Sequence, residues 1–569
     1  MSWKKWTAKI FAASQKLKAL PQPIQLILML ILGMFILALR NLDPLLNPVI
    51  YAEDGAWTAI AMTNGWDYVF LHARSDYFVW GNILFLWLAS TSSSLFCGNE
   101  LSCLPVTVTL WSYFFFSIVA LLAWWATAGV LPLRFRWALF FLAIFLPLGN
   151  TANEVIGRIV NIGYLFVFLA LLLMVLRIRK KGNRVAIDLS LLVCAATNPV
   201  CFLLVPILSL FSLRGFDARQ LFVALRNWGK QYALLFLGLG FLIILRIVTA
   251  ADTASVEVAG SMRFTSLIET ALARPLLYPI IFPFYGSLND VLTVVLTGIL
   301  GGLFFYLLRT TDKRDPALLL VSMGTVTLSI FLVATVYMRP ILTEILGGYL
   351  TTFPDRYFMG INILVIFILI ALISSRSKTP LSRKVKKVFF SLLIAIHVLS
   401  LPWTIELGWP RMRIAVGPDF SGSLCLSTVA LQDQPVNEIN TVSVPIYPES
   451  WTMVVPRDRV LDATQAWNCL KKSEELAKKS EEAFYISDEN WSRGIALHWT
   501  GFFVPSTEEN LREYSPGRFV IFENGDRRKV VRVEANDPYL NIFLEGERLN
   551  PEAVGLPTIY SVTDSDVVE

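Results

Sequence analysis

The feature that most constrains this chain is its succession of apolar stretches close to twenty residues long, running from about residue 23 to 404. At 1.5 Å rise per residue, such a stretch folded as a helix matches the ~30 Å hydrocarbon core of a bilayer. Hydrophobic residues make up 55% of the 569-residue chain and charged residues 16%, well under the ~25% charge of a soluble globule. The fold class that follows is a mainly α, polytopic helical membrane protein. A net charge of +6 says less than where Lys and Arg fall along the chain. Nothing in the charge pattern points to nucleic acid.

Basic loops orient the spans. Residues 1–22 carry Lys4, Lys5, Lys9, Lys16 and Lys18 between apolar residues and read as an amphipathic helix on the cytoplasmic leaflet, with a targeting presequence as the rival, followed by an uncleaved signal anchor. Span 1 (about 23–40) leads to a first outer loop, 41–104, in which 76–95 is short, glycine-interrupted and expected to be re-entrant or interfacial. Spans 2 (105–131), 3 (136–149) and 4 (161–176) follow, and span 4 ends at the strongly basic RIRKKGNR. Asn198-Pro199 breaks the next apolar region into a tight hairpin, spans 5 and 6. Spans 7 (231–249), 8 (288–308), 9 (317–337), 10 (358–373) and 11 (388–404) complete a count of about eleven, which leaves the amino terminus inside and the tail outside.

Residues 405–569 hold no apolar run long enough to span, and their ~165 residues suit one soluble domain. Lys471–Phe484 has helical charge spacing. FVIFENGDRRKVVRVEA and YLNIFLEGERL read as strands, with Asn524-Gly525 as a hairpin turn. The tail is therefore predicted to be a small α+β or β-rich domain. No repeat of 20–50 residues is visible. Cys97 and Cys103 fall in the first outer loop and Cys425 and Cys469 in the tail, positions that allow disulfides, although spacing alone does not establish either bond. Cys194 and Cys201 lie in the membrane hairpin, and no Cys/His array indicates zinc.

The charges with most to explain lie on the predicted outer side. Glu53 and Asp54 sit in YAEDGAW, flanked by Tyr51 and Trp57 and followed by Trp66, Tyr68 and Asp76. Glu154 and Arg158 occupy the second outer loop, Arg263 and Arg274 the fourth, and Arg339, Glu344, Asp355 and Arg356 precede span 10. Charge beside a bilayer is costly unless solvated, paired or used, so the acidic pair is a candidate site; it also fits a wet interfacial loop with an aromatic belt. Any single arginine also fits snorkelling to headgroups. Arg246, inside an apolar run, asks for a buried partner. Together, a carboxylate that takes a proton from a hydroxyl and guanidinium groups that hold a departing phosphate suit group transfer from a lipid-linked donor.

This order of elements, with the acidic pair after the first span and a carboxyl-terminal outer domain, resembles the GT-C superfamily of membrane glycosyltransferases. YAEDGAW is similar to bacterial enzymes that decorate O-antigen or related surface glycans. The resemblance implies inverting transfer of one sugar from a polyprenyl-phosphate donor to a lipid-linked or surface glycan on the periplasmic face of a bacterial inner membrane. It assigns the base to Asp54, with Glu53 as alternate or orienting neighbour; raising the pKa of one by the charge of the other would suit base work near neutral pH. From FPDRYF it assigns Arg356 to the donor phosphate, with Arg339 as second choice; Arg158 and Arg274 are further candidates for the phosphate, and Tyr51, Trp57, Asp76, Glu344 and Asp355 for substrate. A divalent metal stays open, since some relatives use one. No WWDxG motif is present, which speaks against protein N-glycosylation. The rival readings are a lipid-linked glycan flippase, a glycan polymerase or ligase, and a surface-assembly protein whose membrane part only anchors the tail.

Overall fold

A computed structural model describes residues 21–46, 48–98, 101–148, 152–213, 221–249, 272–282, 284–338, 355–404, 420 and 424. In the carboxyl-terminal region it describes 441–446, 451–456, 496–498, 501–505, 508–522, 527–536, 539–546 and 557–562. The chain divides into two compact units, one of Met1–Met412 with Ile446–Val455, the other of Arg413–Pro445 with Pro456–Glu569.

The first unit is helical. Its amino-terminal half contains α1 (Gln22–Arg40), α2 (Asp43–Leu46), α3 (Ala52–Asn64), α4 (Trp66–His72), α5 (Trp80–Cys97), α6 (Leu104–Ala126), α7 (Leu133–Ile144), α8 (Ala152–Val155) and α9 (Phe166–Ile178). There follow α10 (Arg184–Ala195), α11 (Val200–Ser209), α12 (Leu221–Thr249), α13 (Arg274–Ile281), α14 (Asp290–Arg309), α15 (Ala317–Met338), α16 (Asp355–Ser374), α17 (Pro380–Leu399) and α18 (Leu401–Thr404). Among the described residues, seven helical stretches are long and apolar enough to cross a membrane: Gln22–Arg40, Leu101–Ala126, Val160–Ile178, Phe222–Thr249, Val291–Arg309, Ala317–Tyr337 and Arg356–Ser374. This is a multi-pass membrane protein.

Helices α9 and α16 are buried along almost their whole length, whereas α1, α12 and α14 turn Ile27, Ile31, Phe35, Leu237, Val291 and Phe305 outward. A helix that is apolar on its exposed face has lipid, not water, as its solvent.

In the first outer loop, the stretch expected to be glycine-interrupted, and re-entrant or interfacial, is one continuous 18-residue helix, α5, with Gly81 inside its first turn. Gly81 does not interrupt the helix; it admits close packing, because a Cβ there would meet the Phe166 ring at 2.1 Å. The α10–α11 break receives the start of α5: Trp80 N–H donates to Ala196 O (3.1 Å) and Gly81 N–H to Thr197 Oγ1 (2.7 Å). Glu53 and Asp54 likewise lie in the first turn of α3 rather than in a loop, where the partial positive charge of a helix N-terminus favours acids.

Residues 156–165 form non-α backbone in the heart of the bundle, ending in the 3₁₀ turns Val160–Leu165. Unpaired peptide groups are expensive in a medium without water. Here side chains of surrounding helices take them up. Asn41 Nδ2 donates to Ile156 O (3.4 Å) and the Thr109 hydroxyl to Gly157 O (3.3 Å). Ser112 Oγ accepts from Gly157 N (3.1 Å) and donates to Arg158 O (3.0 Å). Asn82 Nδ2 donates to Ile159 O (2.7 Å) and Val160 O (2.8 Å), and Asn198 Nδ2 to Gly163 O (3.2 Å).

A disulfide joins Cys97 to Cys103 with Cα atoms 6.3 Å apart, while Cys194 and Cys201 are buried free thiols. Buried Arg40 is satisfied by the carbonyls of Thr404, Ile144 and Leu146, tying the end of α1 to the end of α7.

The second unit contains a six-stranded antiparallel sheet. Its strands are β3 (Ala496–His498), β4 (Gly501–Pro505), β5 (Phe519–Phe522), β6 (Arg527–Asn536), β7 (Tyr539–Leu544) and β8 (Pro557–Val562), in spatial order β3-β4-β7-β6-β5-β8, with α19 (Glu508–Glu513) beside them. Phe502, Val504, Tyr514, Phe522, Leu540 and Ile542 build its core. Strands β1 (Thr441–Ile446) and β2 (Trp451–Pro456) precede it. The helix expected at Lys471–Phe484, the turn at Asn524-Gly525, residues 1–20, and Cys425 and Cys469 lie outside the described residues.

Gly157 has φ +87°, and a Cβ there would meet Pro44 carbons at 2.8 Å. Gly157→Ala should therefore cost about 1–3 kcal/mol, read as a lowered thermal midpoint of the detergent-purified protein. Gly98→Ala, at φ +64° with open space around it, should cost less.

Candidate active site

The acidic pair sits where the chain turns sharply. Ala52 has φ +39°, a left-handed conformation rare for a residue with a Cβ, and strain of that kind concentrates at functional sites. Asp54 N–H donates to Tyr51 O (2.9 Å), and the Thr58 hydroxyl to Asp54 O (2.6 Å), which fixes the turn. Gly55 permits the close approach of Ile446 and Ile50, whose side chains a Cβ would meet at 2.4 and 2.8 Å.

The Asp54 side chain is wholly buried. Its Oδ2 accepts the Ile159 N–H at 2.9 Å, so the carboxylate also helps hold the irregular central segment. Its Oδ1 is buried and makes no regular hydrogen bond among the described residues. Burial pushes the Asp54 pKa up to about 7; the Ile159 amide, the Arg158 guanidinium and the Val160 amide pull it down, and Glu53 adds a smaller upward push. The expected upward push of one acid on the other is thus present from Glu53, but desolvation is the main cause. Glu53 itself is half-buried and faces the field of Arg74 as well as Asp54.

Two guanidinium groups approach the same turn. Arg158 is fully buried, donates from Nη1 to Val49 O (2.8 Å), and lies 5.7 Å from the Tyr51 ring centroid. Arg356, in the first turn of α16, pairs with Glu154 at 2.5 Å and reaches Tyr357 OH at 3.4 Å. Tyr51 interacts electrostatically with Arg356 too, so this one phenol links both arginines. The Tyr357 ring meets Tyr164 edge-on at 5.4 Å, and Asn161 Nδ2 holds Glu154 O at 2.7 Å. The Arg356 and Glu154 side chains are 24% and 16% exposed, whereas Asp54 is closed off. The cluster thus has a reachable ion pair beside a buried carboxylate.

The remaining candidates scatter around it. Asp76 is half exposed and forms a bidentate pair with Arg74 (2.9 and 3.1 Å). Trp57 is buried and spends its indole N–H on Ala73 O (3.1 Å). Arg274 is buried among Tyr278, Tyr285 and Phe358, with ring centroids 3.4, 5.5 and 5.0 Å away. Arg246 finds its partners in the Ser75 carbonyl and the Phe78 ring. Asp355 opens α16, and Arg263, Arg339 and Glu344 lie outside the described residues. Glu154 as the partner of Arg356, 202 positions away, carries no mark in the sequence beyond its charge, and neither does the Ile159 amide.

Among the described residues, no three His, Cys, Asp or Glu side chains come together to hold a metal ion. Chemically, the cluster can take a proton near neutral pH at Asp54 and meet an anion at Arg356. Compared with known proteins, the chain matches no family model, and a search of curated proteins finds no match.

Because the folded-state pKa of Asp54 lies above its usual 3.8, the native state binds this proton more tightly than the unfolded chain. The resulting stability is full below pH ~4, falls as pH rises towards ~7, and is level beyond that. Asp54→Asn removes the titration and keeps an oxygen for Ile159. Its thermal midpoint should fall less steeply than the wild type's between pH 4 and 7 in detergent.

Proposed function

We propose that this protein is a membrane glycosyltransferase of the GT-C type. It moves a single sugar from a polyprenyl-phosphate donor to a lipid-linked or surface glycan of the O-antigen kind, at the periplasmic face of a bacterial inner membrane. The observation that carries this reading is a fully buried carboxylate whose pKa is pushed up to about 7, in the field of Arg158, which with Arg356 flanks Tyr51. A base poised near the working pH is what deprotonation of a sugar hydroxyl requires.

In this mechanism substrate entry opens the closed turn, and Asp54 takes the proton of the acceptor hydroxyl as that oxygen attacks the anomeric carbon. The bond from that carbon to the donor phosphate breaks on the opposite face, with inversion, and the phosphate leaves on its polyprenyl chain. Arg356 neutralises the charge gathering on the phosphate, and Arg158 steadies the ionised Asp54. Glu154 holds Arg356 in place until an anion competes for it. The Asp54 Oδ1 is the oxygen left over for the acceptor proton, because Oδ2 is committed to the Ile159 amide.

About eleven crossings, with the amino terminus inside and the carboxyl-terminal unit outside, would set these groups on the outer face. The Cys97–Cys103 disulfide supports that sidedness, since such bonds persist in oxidising compartments.

Asp54→Asn should abolish sugar transfer in membranes supplied with polyprenyl-phosphate sugar while the protein remains folded. A fully active variant would rule out the catalytic assignment, as a flippase would predict. Arg356→Ala should weaken donor binding by about tenfold or more, the range for loss of a charge-assisted contact, and acceptor binding far less. Unchanged donor affinity would refute the phosphate role.

A further inference from the structure

At one end of the first unit, the loop between α14 and α15 and the loop between α16 and α17 are zipped together. Asp312 N–H donates to Arg376 O (2.9 Å) and Lys378 N–H to Thr310 O (2.8 Å), with an antiparallel bridge between Thr311 and Ser377. Asp315 ties the same loops, accepting from Ala317 N (2.7 Å) and Arg376 N (2.6 Å). Lys386 of α17 pins them from beneath. It is buried, and its ammonium is saturated by Thr311 Oγ1 (2.9 Å), Ser375 Oγ (2.7 Å) and Ser375 O (3.0 Å).

What this knot displays is positive charge. Arg309, Lys313 and Arg314 project from the first loop, Arg376 and Lys378 from the second, and all are exposed. Arg383, Lys384 and Lys387 stand exposed on the first turns of α17. No ion pair among the described residues involves any of them. The nearby acids Asp312 and Asp315 are occupied with backbone amides.

The surrounding apolar surface fixes the depth of this patch. On α17, Leu381, Val388 and Leu392 are 64%, 52% and 53% exposed. With Lys384 they share one helical face by their spacing of three and four residues. On α14, Phe305 (66% exposed) lies one turn before Arg309. Side chains this apolar are lipid-facing in a membrane protein, so the cations at the same helix ends lie at headgroup level, their stems along the acyl boundary.

We propose that this loop knot is a binding site for anionic phospholipid headgroups of the adjacent leaflet. The occupant is a lipid and not a soluble anion, because exposed apolar residues continue the basic patch along the same helices. The hydrogen-bonded knot pre-arranges cations from three chain segments, so little ordering is lost when a headgroup binds. The site is independent of sugar-transfer chemistry.

The test uses the full-length protein in detergent, incubated with equal phosphatidylglycerol and phosphatidylcholine, re-isolated, and assayed for retained lipid by mass spectrometry. The wild type should retain phosphatidylglycerol in preference to phosphatidylcholine and keep it in millimolar inorganic phosphate. Each basic residue near an anionic surface is worth roughly fivefold in affinity. The triple variant Arg383→Gln, Lys384→Gln, Lys387→Gln should therefore lose at least about tenfold of that retention. The pair Lys313→Gln, Arg314→Gln, on the other loop, should reduce it too. Equal retention of the two lipids, displacement by inorganic phosphate, or undiminished retention in both variants would overturn the proposal.

Discussion

The interior of the helical unit depends on how ten residues of irregular backbone, 156–165, survive in the middle of a bundle built for lipid. α-Helices satisfy their own peptide groups; this segment does so only in part, through its 3₁₀ turns, and in a water-poor medium each orphan would cost several kcal/mol. Its amides and carbonyls are met by Asn41, Asp54, Asn82, Thr109, Ser112 and Asn198, which come from α3, α5, α6, the end of α1 and the α10–α11 break. Because the donors and acceptors come from many places, the segment can exist only when those elements are assembled. The polar network therefore specifies one packing where apolar surfaces alone would permit several.

The same network explains why Asp54 is poised as it is. A carboxylate placed there to accept one amide also lands in a region from which water is excluded, and desolvation lifts its pKa towards neutrality. One side chain thus combines a structural contact, through Oδ2, with a pKa in the neutral range. Arg158 gains its place by being next to Ile159 in the same segment, and Arg356 by opening the most buried span of the bundle, where Glu154 meets it. Charge around this turn is consequently graded: a buried carboxylate and a buried guanidinium, and a partly open ion pair linked to them through Tyr51.

Much of the architecture was legible from periodicity and length. The apolar runs at 105–131, 288–308, 317–337 and 358–373 each coincide with a long α-helix, because the 20-residue rule reports a helix that must satisfy its own backbone, while 161–176 begins in 3₁₀ turns before α9. FVIF and YLNIFL became β5 and β7 because alternation and β-branched or aromatic residues fit a pleated, half-buried surface. In α5, Gly81 looked like an interruption, yet it serves a tertiary contact by letting Phe166 approach, and its neighbour Asn82 bonds the 159–160 carbonyls.

Sequence alone determined that this chain folds as membrane-crossing helices followed by a strand-containing tail, and that its acids and several arginines gather in particular connecting segments. Hydrophobic period and helix rise are local properties, readable within a window of twenty residues. Only the tertiary structure decided that Glu154 pairs with Arg356 across 202 positions, that Tyr51 faces two arginines, and that Asp54 is buried against the Ile159 amide. Those facts depend on which helix ends meet, and electrostatic strength depends on the burial that meeting creates, so no pattern along the chain encodes them.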